Sequence, residues 1–257
     1  MFVDCARRWA ARTLPATIID AGFSLRQVGS SVGAAVGTAT HTGASYILGE
    51  KVDTGELGNQ TEADQRALQS LDKALEVGCV WDDTTSNLNT AQKQVLRQVA
   101  IFRRDVAPVL KPVAIEQRLT ARFSDHIQVS GQADICEDDA INDLKTGTQR
   151  RANGPQYGTY SMLRRTHGHR VNRLTETYVP RARMTKPQPE PQFHHYPVEA
   201  AEQAAHGILR RIERDVVEFR KSGDPWAFMA NPTSMLCSAK YCPAHGTTFC
   251  RMHKEAI

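Results

Sequence analysis

The sequence predicts a mixed α/β fold, a central mixed β-sheet flanked by helices. Three observations carry that expectation. Apolar residues recur at helical spacing between about residues 30 and 108. Between residues 113 and 145 the period shortens to the two-residue alternation of strands. A helix, two short strands and a long amphipathic helix then follow.

Each element has its own signal. Val32, Ala35, Val36, Ala39, Ala44, Ile47 and Leu48 mark a helix over residues 30–50, with His41 in its middle. Thr61 can cap a second helix reaching Val77, its face made by Ala67, Leu68, Leu71, Ala74 and Leu75, with Gly78 as the stop. Thr90 opens a third, striped by Val95, Val99, Phe102 and Val106 and ended by Pro108. Strands read at residues 113–123, 126–136 and 140–145, separated by Ser124-Asp125 and Glu137-Asp138-Asp139. Gly154-Pro155 precedes a helix of residues 155–167, and a strand follows near 173–180. A Pro-rich link from Pro180 to Pro191 leads to a short strand at 193–197. A long helix from Val198 to Arg220 stops near Gly223-Asp224-Pro225. The 257 residues read as one domain, with a helical part over 1–110, a core over 111–200 and a helix with a cysteine group over 198–257.

The net charge of +4 is unevenly spread. Ten Lys and Arg residues lie between Lys145 and Lys186, against the single acid Glu176. Such a block suits a phosphate-tracking surface, for which Arg150, Arg151, Arg164 and Arg165 are the candidates. No stretch approaches the roughly 20 apolar residues of a membrane helix. With no secretory pattern either, the chain is expected in the cytoplasm, where six cysteines favour metal ligation over disulfides.

The chemistry is concentrated in Asp134, Asp143 and Lys145. On neighbouring strands, two carboxylates can hold a hard divalent cation, and a lysine beside them can orient water or stabilise phosphoryl charge. Four segments fall in order: Val36-Gly37-Thr38-Ala39-Thr40-His41, Gly131-Gln132-Ala133-Asp134, Asn142-Asp143-Leu144-Lys145 and Gln156 with Tyr160. In these the chain resembles the PD-(D/E)XK nuclease superfamily, and within it the RecB-type exonucleases. The resemblance implies a restriction-endonuclease-like core. It implies that His41, Asp134, Asp143 and the Leu144 carbonyl bind Mg²⁺ or Mn²⁺. Lys145 would then position the attacking water, and Gln156 and Tyr160 would contact the phosphate or steady the lysine.

Cys237, Cys242 and Cys250 lie close together, with Cys5 at the opposite terminus. This is similar to the iron–sulfur subgroup of those nucleases, including AddB-like and CRISPR-associated members, and implies a [4Fe–4S] cluster clasping the termini. The spacing, four and seven intervening residues, is wider than that subgroup's usual pattern, and His245 and His253 could instead complete a Zn²⁺ site. The activity implied is a DNA exonuclease or end-processing nuclease of recombination, repair or phage replication. Its partners would be DNA and a single-strand annealing recombinase or helicase. A non-catalytic nucleic-acid-binding module with structural zinc is the alternative, and a hydrolase of small phosphodiesters a third.

Overall fold

The computed structural model describes residues 3–253, the His253 side chain excepted. In chain order its elements are α1 (Ala6–Thr13), α2 (Pro15–Asp20), β1 (Ser30–Ser31), α3 (Val32–Thr54), α4 (Gln60–Glu76), β2 (Cys79–Val80), α5 (Leu88–Ile101), β3 (Ala114–Arg122), β4 (Gln128–Cys136), β5 (Ala140–Lys145), α6 (Gly154–Thr166), β6 (Arg173–Tyr178), β7 (Gln192–Tyr196) and α7 (Val198–Ser222). This is the expected mixed α/β class. No helix among the described residues is long and apolar enough to cross a membrane.

The chain divides into two compact units, Ser30–Ala205 and Met1–Gly29 with His206–Ile257. The first holds a five-stranded sheet in the order β3-β4-β5-β6-β7. Its pairs are antiparallel except β5 with β6, which run parallel and are joined through α6, as a parallel connection requires. One face packs against α3, α4 and α5 through Val36, Ile47, Leu71, Val99, Ile135 and Leu144. The other packs against α6 through Cys136, Ile141, Tyr157 and Leu174. Strand β5 lies between both layers, so Ala140 to Leu144 are all buried. Polar residues on it therefore need partners inside the protein; Asn142 accepts from the Thr177 hydroxyl at 2.8 Å.

Two helix starts differ from expectation. Asn59, not Thr61, caps α4, its side chain accepting from the amides of Thr61 and Glu62. Asn87, not Thr90, caps α5 by accepting from the Thr90 amide at 2.9 Å. In both cases an asparagine upstream outcompetes the threonine for the orphan amides. The α5 stripe also continues differently, through a π-helical turn at Phe102–Val106 that keeps Phe102 and Val106 in the core.

In the second unit, α1 and α2 share a core with the later part of α7. Ala10, Ile18, Phe219, Phe228 and Phe249 form its centre. The Arg7 guanidinium donates to the carbonyls of Phe228 and Pro225, and Arg12 donates to Tyr241. Neither short helix was expected, because each is only a turn or two long and derives its stability from this packing.

Glycine contacts in α6 and α7 make opposite predictions. A Cβ on Gly158 would overlap the backbone oxygen of Ala201, so the start of α7 would have to move off α6. Gly158→Ala should therefore destabilise by about 3 kcal/mol. Gly207 has open space around it in α7, and Gly207→Ala should stabilise by up to about 1 kcal/mol. Urea unfolding midpoints of the two variants should move in opposite directions.

Candidate functional site

The site forms where β4 and β5 part. Their ladder comprises Ile135 with Asn142 and Cys136 with Ile141. Beyond it the Leu144 amide donates to Asp134 Oδ2 at 2.9 Å, so the carboxylate occupies the gap and is aimed by the backbone. On the other side, β3 and β4 pair in a register that sets Glu116 opposite Asp134. Glu116 has φ +51°, the left-handed region that a non-glycine residue enters at a cost of about 1–3 kcal/mol. Its side chain is fixed by the Ser45 hydroxyl at 2.9 Å and the Gln132 amide at 2.7 Å. Helix α3 brings His41 to both acids, Nδ1 standing 3.6 Å from Asp134 Oδ2 and 3.9 Å from Glu116 Oε1.

Ligand-type atoms of His41, Glu116 and Asp134 all lie within 4.8 Å of one another, the only such group of three found among the described residues. Glu116 was not expected from the sequence. Asp143 lies outside that group of three. It is 1% exposed, neither oxygen accepts a hydrogen bond of normal geometry, and Oδ2 meets the Lys145 ammonium. Leu144 lines the same small cavity as His41, Glu116 and Asp134.

The electrostatics follow from burial and crowding. Burial, then repulsion by Asp134, pushes the Asp143 carboxyl up to about 7 despite Lys145. Asp134 is also raised, by burial and by Glu116, with His41 opposing. Burial pulls His41 down, but Glu116, Asp134 and Asp143 together hold it above its ordinary value. Burial pushes Glu116 up, yet hydrogen bonds from His41, Ser45 and Gln132 leave it below the usual range. Three acids thus face one lysine and one imidazole, an excess of negative charge that a cation would relieve.

Helix α6 completes the surroundings. Gln156 Nε2 donates to the Tyr160 oxygen at 2.6 Å, and Asn153 donates to Gln156 Oε1. The Gly131 of β4 makes room for this pair, since a Cβ there would come within 2.9 Å of the Tyr160 ring. Burial pushes Tyr160 up to about 12, so it stays protonated. Opposite Asp143 on β6, buried Glu176 accepts from Arg150 at 2.7 Å, Tyr157 at 2.5 Å and Tyr196 at 3.0 Å. The Lys145 ammonium stands 5.8 Å from the Tyr157 ring centre.

Of the four arginines expected to meet phosphate, Arg164 is 1% exposed and donates to Gln117 and the Glu137 carbonyl. It ties α6 to β3 and presents no charge to solvent. Arg150 is held by Glu176 and Tyr196, and Arg165 by Glu202 and the Val171 carbonyl. Arg151 is exposed.

In the other unit, Cys5, Cys237, Cys242 and Cys250 line one small cavity together with Arg7, Arg8 and His245. All four are free thiols. The Arg8 amide donates to Cys5 Sγ at 3.4 Å. Burial, with repulsion from the neighbouring sulfurs, raises Cys237 and Cys242. Cys136 and Cys79 lie elsewhere, in the sheet core and in β2. The His253 side chain, a sequence candidate for zinc, lies outside the described residues.

No family model and no curated protein matches the chain. Among solved structures, the chain is similar to the crystal structure of a protein named "Putative exonuclease" from Eubacterium rectale, at 12% identity and a TM-score of 0.48. The match covers 77% of this chain and 89% of that one.

The Asp143 environment has a pH signature. Its carboxyl keeps a proton to about pH 7 when folded but loses it in the ordinary carboxylate range when unfolded. Between those values the folded state binds more protons, so this group withdraws stability as pH rises through about 7. In EDTA, the wild type should lose more Tm than Asp143→Asn on going from about pH 5 to about pH 8. Identical pH profiles for the two would contradict the burial account.

Proposed function

We propose that the chain is a metal-dependent nuclease hydrolysing phosphodiester bonds in DNA, acting at ends. One juxtaposition supports this reading: the His41–Glu116–Asp134 group lies beside buried Asp143 and the Lys145 ammonium paired with it. Carboxylate oxygens and one imidazole suit Mg²⁺ or Mn²⁺, and the buried Asp143 Oδ1, which has no hydrogen-bond partner, fits a site built for a cation. Bound there, the ion would supply Lewis acidity toward a phosphodiester oxygen.

The protein groups divide the remaining work. His41, Glu116 and Asp134 hold the ion, with Asp143 at its flank. Asp143 also fixes the Lys145 ammonium, which is partly exposed and so reaches a water that the buried carboxylate cannot. Lys145 orients that water for attack and steadies charge on the phosphoryl oxygens. Tyr160 accepts from Gln156, leaving its own O–H to donate to a phosphate oxygen. Products with 5′-phosphate and 3′-hydroxyl ends would follow the resemblance. These 257 residues contain no P-loop motif, so unwinding, where the substrate needs it, would fall to a partner helicase, and a single-strand annealing recombinase would be an alternative partner, in a cytoplasmic setting.

Cys5, Cys237, Cys242 and Cys250 would hold an iron–sulfur cluster that stabilises their unit without entering hydrolysis. The four cysteines lining one cavity match the four thiolates that a [4Fe–4S] cluster takes. The Arg8 amide at Cys5 and the nearby guanidinium groups complement its negative charge.

End-labelled linear DNA with Mg²⁺ should be degraded by the wild type and spared in EDTA. Lys145→Ala should lower the rate by at least about 100-fold, the scale of a lost charge-stabilising group, while calorimetry still detects Mn²⁺ binding. Unchanged cleavage by that variant would refute the assignment of Lys145. Protein purified without oxygen should be brown with about four irons per chain; one zinc and no iron would overturn the cluster assignment.

A further inference from the structure

We infer that the groove between α3 and α4 is the track along which a single strand of DNA reaches the metal ligands, an inference that rests on the nuclease reading above. The groove is a cavity of about 870 Å³, within the range of small-ligand clefts at roughly 300–1,000 Å³. Such a volume admits a few nucleotides of one strand. Its two walls are polar stripes at helical spacing. Helix α3 contributes Thr38, His41 and Thr42, and α4 contributes Arg66, Gln69 and Lys73. The opposite faces of the same helices, carrying Val36, Ala39, Ala67 and Leu71, are in the core. The polar stripes therefore line an opening to solvent and are not packed away.

Charge along the groove runs in the sense a strand needs. His41 and Glu116, both metal-site residues, line one part of it, while Arg66 and Lys73 supply the positive charge on α4. Lys73 is exposed and has no ion pair among the described residues. Arg66 pairs with Glu62 at 2.7 Å, but both side chains are solvent-exposed, so the pair is weak and a phosphate can replace the carboxylate. The Arg66 guanidinium also lies 4.6 Å over the Tyr46 ring. The ring backs the guanidinium plane, whose outer face is of the kind on which unpaired bases stack. Lys73, Gln69 and the exposed Thr38 hydroxyl supply donors for the backbone.

None of these residues lies in the basic block of residues 145–186. The groove thus supplies the phosphate-tracking surface that buried Arg164 and internally bonded Arg150 do not.

The test uses the full chain carrying Arg66→Gln with Lys73→Gln. Fluorescence anisotropy of a labelled single-stranded oligonucleotide is measured in a Lys145→Ala background with Mg²⁺, across a salt series. The double substitution should weaken binding at least about tenfold and flatten the slope of log K against log salt by about 1.4, the value for two phosphate contacts on a single strand. With Lys145 intact, hydrolysis of bis(4-nitrophenyl) phosphate, which needs only the metal site, should be unchanged. Oligonucleotide affinity and slope that stay at the parent values would overturn the inference. So would an equal loss of small-diester hydrolysis, or an equal loss of affinity for blunt duplex. If no version hydrolyses the small diester yet the oligonucleotide is still lost, the groove stands and the nuclease reading fails.

Discussion

A carboxylate buried in the middle of the sheet governs the rest of the site. Asp143 sits on β5, the strand covered on both faces, and is 1% exposed with no hydrogen bond of normal geometry. A desolvated charge of this kind is costly unless it is paired. Lys145, two residues along the same strand, supplies the pairing on one side. Asp134 sharpens the problem by adding a second carboxylate. The arrangement concentrates negative charge at a point where the sheet opens toward α3.

The surrounding structure holds this unfavourable grouping in place. The divergence of β4 from β5 leaves the Leu144 amide to fix Asp134, and the unusual backbone at Glu116 turns a third acid inward. Two packed layers, α3 to α5 on one face and α6 on the other, leave little freedom for the central strand. On the neighbouring strand β6, the Glu176 network locks Tyr157 and Arg150, which makes the surroundings of Asp143 rigid. A set of like charges held so firmly is the property of a preorganised cation site, since the fold itself opposes their relaxation.

Much of this could be read from the chain before folding was considered. Strand β5 was legible in Ala140 to Lys145, and the approach of Asp134 to Lys145 followed from the hairpin order. Glu116 was hidden because nothing in its local pattern marks it; its neighbours Ile115 and Gln117 read as ordinary strand. Counting the antiparallel register back from the turn at residues 123–127 does set 116 against 134, so the signal lay in pairing and not in composition. Arg164 misled for the opposite reason. A positive charge in a basic run suggests a surface, and only the packing of α6 on β3 shows that the guanidinium is enclosed by Gln117 and the Glu137 carbonyl. The caps at Asn59 and Asn87 illustrate a smaller effect, in which two good capping residues stand two or three positions apart and the earlier one takes the orphan amides.

The central claim is that one cation is gathered by groups from three separate elements, α3, β3 and β4. Anomalous diffraction from crystals of the protein soaked in Mn²⁺ tests it most directly. The account predicts a manganese peak within bonding distance of His41, Glu116 and Asp134. A protein that binds Mn²⁺ elsewhere, or leaves these three side chains bare at saturating metal, would contradict it.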